Sequence, residues 1–357
     1  MAGLSGRRFL FQVRNRRGLG HMMRGLNIAR ELRALAADCE VLFYLRSEPS
    51  AGIWPEGIRY VVESDPDGLA HWPQVLTDFR PDVVLYDTML PRDAAAEPVA
   101  ASARYAYVMR KCLPDEQQEV FRNPFLERMA LILVPHSEAQ FGYRLPGQLA
   151  GRVRFVGPIV RRPEPDTQAS LRLRYGLRPG DFVLTSTVGG GGFEAQAEAF
   201  FAAVFAAHRR LHGRWPELRH IVVKGPNYGG RLDALPGMTL VDFEPEMINL
   251  LAVSTLVVAE GGYNTVNEVR ITRTPAIFMP SPRGKDDQEE RVRDLEARGL
   301  ASVLMPPDGA ALAERIADFH AAPERLAAMR RCYAGEGGEA GEVGNRAAAE
   351  ALLALAL

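Results

Sequence analysis

The chain predicts an α/β fold built as two doubly wound parallel-sheet domains, and three observations carry that expectation. Short apolar runs alternate with helical patterns along most of the 357 residues, as parallel strands joined by crossover helices do. The pattern stops at a stretch rich in proline and charge, 161–167, and then restarts. The length also suits two domains better than one.

In the first half, Phe9-Leu10-Phe11-Gln12-Val13 reads as a strand, followed by a loop over 14–20 and a helix over 22–36. The apolar runs 41–45, 83–86 and 131–134 supply further strands. In the second half, 182–185 reads as a strand, Gly189-Gly190-Gly191-Gly192 as a loop and 193–210 as a long helix. Strands at 221–223, 240–243, 256–259 and 276–279 alternate with helices behind it. The expected division is 1–159, 160–340 and a final helical segment 341–357, whose Ala- and Leu-rich face packs back on the first domain. Two Rossmann-like domains facing across a cleft would bind ligands at the carboxyl ends of both sheets.

Composition removes several classes of function. A net charge of -1 offers no basic field for nucleic acid. The first thirteen residues lack the apolar core of a signal peptide, and no run approaches the roughly 18 apolar residues of a membrane span. Three scattered cysteines, Cys39, Cys112 and Cys332, fit neither a disulfide framework nor a zinc site. A cytoplasmic protein without a bound metal is expected; peripheral membrane contact by the apolar tail 351–357 has less support than domain packing. Gly18-Leu19-Gly20-His21-Met22-Met23 has Met23 where a dinucleotide fingerprint needs its third glycine, which speaks against a nicotinamide enzyme.

The strand 256–259 runs into Glu260-Gly261-Gly262-Tyr263-Asn264-Thr265-Val266-Asn267-Glu268. Two glycines make the turn, Asn264 is the expected N-cap, and the helix N-terminus presents backbone N–H groups to an anion. Glu268 lies one helical turn beyond Asn264, where a carboxylate can accept hydrogen bonds from two sugar hydroxyls. Phosphate at the turn and a diol at the glutamate describe a nucleotide.

These residues resemble the two-domain, metal-independent GT-B glycosyltransferases, above all relatives of the bacterial enzyme that adds N-acetylglucosamine to lipid I. Gly262, Asn264, Glu268, Pro275 and Pro280 fall at the spacing of the signature box of plant and antibiotic-pathway transferases, while Asp287-Gln288 come three residues late. The first half resembles the family in Gly18-Leu19-Gly20-His21, and the link 156–161 and the stretch 243–247 also fit. The resemblance implies an inverting transfer from a nucleotide-diphosphate sugar, most simply a UDP-sugar, to a hydroxyl or amine, with no cofactor. It makes the first domain the acceptor side and the second the donor side. Glu268 would hold the ribose diol, and Asn264, Thr265 and the backbone of Gly261 and Gly262 the diphosphate, with Arg161 adding a cation. Phe243, Glu244 and Met247 would line the base, and Asp287 and Gln288 would hold the sugar. Gly20, Gly189, Gly190 and Gly191 would let backbone approach the phosphates or the acceptor. Three departures stand out: Glu260 before the glycines, Arg273 where the box has glycine, and a lengthened segment 282–285.

His21, ending the first glycine loop, is the candidate general base, because an imidazole with an ordinary pKa of about 6.5 can take a proton near neutrality. Asp87, at the end of its strand, stands where some relatives orient that histidine; a turn residue is the competing explanation. Arg14, Arg16, Arg17 and Arg24 around the loop form either a solvated face or a receptor for an anionic acceptor. His136, after a strand, reads either as lining the acceptor site or, at least as well, as a satisfied loop histidine; Asp65-Pro66-Asp67 reads as a turn. A sugar-nucleotide hydrolase or epimerase, with His21 activating water, is the alternative function, and a silent nucleotide-sugar binder the third.

Overall fold

The computed structural model describes residues 6–14, 18–49, 52–65, 69–282, 286–335 and 343–357. The chain forms two compact units, Met1–Val160 with Val343–Leu357, and Arg161–Glu342. Each is a parallel sheet flanked by helices.

In the first unit the strands are β1 (Arg8–Val13), β2 (Glu40–Leu45), β3 (Arg59–Val62), β4 (Val83–Asp87), β5 (Arg104–Val108), β6 (Met129–Val134) and β7 (Val153–Phe155). Their order across the sheet is β3-β2-β1-β4-β5-β6-β7, with every pairing parallel. Its helices are α1 (Gly20–Leu35), α2 (Trp72–Phe79), α3 (Pro114–Arg122) and α4 (Glu138–Phe141). β1 and β4 are buried on both faces, so they read as continuous apolar runs. β3, β5, β7 and the second unit's two-residue β13 escape a search for such runs. β3 is a half-exposed edge strand, β5 mixes arginine and tyrosine, and β7 and β13 are two or three residues long.

The second unit has β8 (Phe182–Thr187), β9 (Leu218–Val223), β10 (Met238–Val241), β11 (Leu256–Ala259), β12 (Ala276–Phe278) and β13 (Ser302–Val303), ordered β10-β9-β8-β11-β12-β13 and all parallel. Its helices are α5 (Pro165–Arg174), α6 (Glu194–Leu211), α7 (Met247–Val253), α8 (Tyr263–Thr272), α9 (Gln288–Ala297), α10 (Gly309–Ala321) and α11 (Pro323–Gly335). Phe200, Phe201, Val204 and Leu211 of α6 bury one face against β8 and β11, and Ile316 and Phe319 of α10 extend that core. The strand expected at 240–243 starts and stops two residues earlier, because Asp242 and Phe243 already belong to the turn. Loop 14–20 lies partly outside the described residues, and α1 starts at Gly20, two residues earlier than expected.

The closing helix α12 (Asn345–Leu355) belongs to the first unit. It packs on α1 and β6 and buries Ala348, Ala349, Leu352 and Leu353. Asn345 Nδ2 donates to the Val160 carbonyl at 2.8 Å, and a Cβ on Gly344 would lie 2.2 Å from the Val156 oxygen. That close approach fixes where the chain re-enters the unit.

Candidate active site

The carboxyl edge of the first sheet carries the histidine. Gly20 opens α1 and His21 follows it, half-buried, on the helix beside β4. Arg24, one turn on, is 1% exposed and donates to Asp87 Oδ1 from Nε at 3.1 Å and Nη2 at 2.5 Å. Nη2 also reaches Thr88 Oγ1 at 2.8 Å and His21 Nδ1 at 3.2 Å. Thr88 Oγ1 in turn donates to Asp87 Oδ1 at 2.9 Å. Asp87 Oδ2 takes none of these bonds; it is buried and lies 3.5 Å from His21 Nδ1. Burial alone would raise the Asp87 carboxyl, but Arg24 and His21 against it outweigh that and hold it at about 2. The aspartate is therefore an anion at neutral pH, with one oxygen committed to Arg24 and one facing the imidazole. Thr88 follows it with φ 65°, a left-handed conformation that a β-branched residue rarely adopts, stabilised by its two side-chain bonds.

Sequence reasoning placed His21 and Asp87 but missed Arg24 and Thr88 as members of the group. The signal for Arg24 was its i+3 spacing from His21, which puts both on one helix face. Arg24 consequently cannot be part of a solvated basic face, and Arg16 and Arg17 lie outside the described residues. His136 accepts from the Lys111 backbone N–H at 3.1 Å, as a satisfied loop histidine does. Pro66 and Asp67 also lie outside the described residues.

The second unit carries the glycine turn. Gly262 is the N-cap of α8 and no side chain caps that end, so the expected N-cap, Asn264, stands instead inside the first turn. A helix N-terminus of this kind directs its first backbone N–H groups toward an anion. A Cβ on Gly262 would meet nothing within 4 Å, whereas one on Gly261 would lie 2.7 Å from Val292. One glycine leaves the approach open and the other lets α9 pack close. Thr265 is buried beside the loop after β8, 3.6 Å from where a Gly189 Cβ would stand. The glycine run has a structural use that its flexibility did not suggest. Gly191, with φ 77°, fits against Tyr228 and the Lys224 carbonyl, and the Asn227 N–H donates to Gly190 O at 3.0 Å.

Glu268 is partly buried on α8, one turn behind these groups. Burial pushes its carboxyl up to about 7, and the nearby Arg161 guanidinium only partly offsets that. Arg161 itself bonds Glu246 at 2.9 Å and lies 3.6 Å from Glu164. Glu244 is 2% exposed and accepts from Arg174 at 2.9 Å, Tyr175 at 2.5 Å and the Glu246 N–H at 2.9 Å. Its side chain therefore shapes the turn between Phe243 and Met247 instead of facing a ligand. Lys224 pairs with Asp242 at 2.6 Å.

Asp287 and Gln288 are each 3% exposed. Arg291 bonds Asp287, reaches Asp286 at 2.8 Å and donates to the Gly261 carbonyl at 2.6 Å. Gln288 accepts from the Ser281 N–H at 3.4 Å. Asp286 and Asp287 are thus tied through Arg291 to the back of the glycine turn; sequence reasoning gave Asp287, with Gln288, to the sugar and did not find this tie. Arg273, where the signature box has glycine, ends α8 with φ 55°, the conformation a glycine would supply freely.

Residues 191–341 match the glycosyltransferase family 28 C-terminal domain. Over 344 residues the chain is 29% identical to the UDP-N-acetylglucosamine–N-acetylmuramyl-(pentapeptide) pyrophosphoryl-undecaprenol N-acetylglucosamine transferase of Symbiobacterium thermophilum, covering 87% of this chain and 88% of that one. The protein is a glycosyltransferase of the GT-B fold. Among solved structures, the spinosyn forosaminyltransferase SpnP superposes on this transferase with a TM-score of 0.65 at 17% identity, over 98% of this chain and 100% of SpnP. S. aureus MnaA in its co-structure with UDP gives 0.64 at 13% identity, over 96% and 94%. Among the described residues of the transferase, no helix is long and apolar enough to cross a membrane.

Proposed function

We propose that the chain transfers a sugar from a UDP-sugar to a hydroxyl or amine by a single inverting displacement, with His21 as general base. The observation that carries the base assignment is the division of Asp87: Oδ1 serves Arg24 and Thr88, and Oδ2 faces His21 Nδ1 at 3.5 Å. An Nδ1–H directed at Oδ2 leaves Nε2 with its lone pair for the acceptor proton, and the imidazolium that forms is stabilised by the same carboxylate. Arg24 opposes this by offering its own donor to Nδ1, so the network balances two tautomers.

The donor reading rests on α8. Its uncapped N-terminus with Gly261 and Gly262 receives the diphosphate, Thr265 flanks it, and Asn264 and Arg161 add polar and cationic groups. Gly20, in this scheme, opens α1 to the acceptor beside His21, and Gly189 to Gly191 border the phosphates. Glu268 holds the ribose hydroxyls, while the turn from Phe243 to Met247 lies along the base. Asp287 and Gln288 support the sugar from behind Arg291. Helix N-terminus and arginine supply the positive potential, so the reaction proceeds without a divalent ion or other cofactor. UDP-N-acetylglucosamine, the donor named for the relatives, is the first to test.

Binding of UDP and 2′-deoxy-UDP to wild type and Glu268→Ala tests the donor site. A carboxylate hydrogen bond contributes about 1.5–3 kcal/mol, so the wild type should prefer UDP by roughly 10- to 150-fold. The preference should collapse in the variant; equal affinities in the wild type would refute the assignment. Rapid consumption of donor without any acceptor would favour a hydrolase.

A further inference from the structure

The glycine turn ahead of α8 is held from behind by one side chain of α9. Arg291 lies one turn beyond the N-cap of α9, Asp287, and its side chain is 11% exposed. Its Nη1 donates to the Gly261 carbonyl at 2.6 Å, and its Nη2 donates to Asp286 Oδ1 at 2.8 Å and to Asp287 Oδ1. The guanidinium carbon is 5.9 Å from the ring centroid of Tyr263, the buried first residue of α8. One guanidinium thus engages the turn, the helix that follows it and the two aspartates that precede α9. Val292, the next residue of α9, closes on the same turn: a Cβ on Gly261 would lie 2.7 Å from its Cγ1 and 3.2 Å from the Gln288 carbonyl oxygen.

The atom that Arg291 holds matters for an anion on the other side. The Gly261 carbonyl belongs to the peptide that carries the Gly262 N–H, and that peptide is trans. In a planar trans peptide the C=O and N–H point in opposite directions, so a donor fixed on the oxygen also fixes the N–H. Arg291 draws the oxygen toward α9 and therefore aims the Gly262 N–H away from it. Gly262 is the open glycine, where a Cβ would meet nothing within 4 Å. A donor already aimed at the place of a charge interacts more strongly with it than one that must first reorient.

We propose that Arg291 is a positioning residue for the donor diphosphate, acting through the Gly261 carbonyl to aim the Gly262 N–H instead of touching the ligand. This rests on the donor reading of α8 given above. Asp286 and Asp287 hold Nη2, which leaves Nη1 for the carbonyl, and they take up the charge of the guanidinium. The anion is then met by backbone dipoles. A lysine at this position is a point charge on a flexible stem and cannot serve the carbonyl, both carboxylates and the Tyr263 ring together.

Calorimetric titration of UDP and of uridine into the full chain tests this, because uridine keeps the base and ribose and lacks the diphosphate. Arg291→Met should weaken UDP by about 10- to 150-fold, the range for one hydrogen bond to a charged group, and leave uridine within about twofold. Arg291→Lys should recover only part of the UDP affinity. The same UDP-specific loss is expected when Arg291→Met is combined with Asp287→Asn, which removes the buried carboxylate that loses its guanidinium in the single variant. A residue that merely supported the fold would weaken both ligands alike. An equal loss of UDP and uridine, or a preference for UDP that survives Arg291→Met in both backgrounds, would therefore overturn the proposal and leave the donor reading standing. A wild type that binds UDP no better than uridine would overturn the diphosphate reading, and this proposal with it.

Discussion

Asp87 and Glu268 show how two carboxylates acquire opposite character from their neighbours. Asp87 is buried against Arg24 and stays ionised; for Glu268 burial outweighs the Arg161 guanidinium, and the carboxyl is pushed up to about 7. Replacing His21 by alanine should lower turnover by about 10²- to 10⁴-fold, the usual range for a lost general base. UDP affinity should be unchanged, and a variant that fails mainly by losing UDP would show that His21 serves the donor. Glu268 predicts a pH dependence. Accepting two ribose hydroxyls needs the ionised form, which is lost as pH falls through about 7. UDP should therefore bind roughly tenfold more weakly at pH 6 than at pH 8 from this one titration, and Glu268→Gln should flatten the profile. Because the folded value lies above the ordinary 4.5, the same carboxyl contributes its stability below that value and loses it as pH rises through 7.

Among the elements, α8 is the one whose two ends are most sharply specified. Its N-terminus is left uncapped, and its C-terminus is closed by a non-glycine residue in the left-handed conformation. Arg273 there is exposed to solvent, so the backbone term dominates any change. Arg273→Gly should stabilise the second unit by about 0.5–1 kcal/mol, the usual gain at a left-handed C-cap less the added freedom of the unfolded chain. Chemical denaturation would measure it, and a loss of stability would mean that the side chain makes a contact worth more than the strain. The buried histidines illustrate the opposite case. His208 donates from Nε2 to the Pro236 carbonyl, so its Nδ1 accepts from His220, whose Nε2 is left for Ser186. Such a relay holds both rings neutral and serves packing beneath β8.

At the scale of the whole chain, the last fifteen residues return to the unit that began it. Removing residues 343–357 would expose the faces of α1 and β6 that Leu352 and Leu353 cover, each leucine contributing about 1.5–3 kcal/mol of burial. The truncated chain should lose stability in the first unit while the second unfolds as before, which two-transition calorimetry with UDP present would resolve. Equal loss in both units would show that α12 supports more than the sheet it packs on.

Much of this was legible in the sequence, because parallel strands buried on both faces and glycine turns leave local signatures. The strands β1, β2, β4, β6, β8, β9 and β11, the glycine turn at Gly261-Gly262, and the spacing from Asn264 to Glu268 are properties of short segments. Composition and periodicity specify such segments without knowledge of their neighbours. What only the tertiary structure decided is where long side chains spend their charge. Arg24 turned inward to Asp87, Arg291 joined the acidic pair to the Gly261 carbonyl, and Glu244 became the organiser of a turn. A charged residue costs little to leave in water and much to bury, so its partner is chosen by residues far away in sequence, and no local pattern announces it.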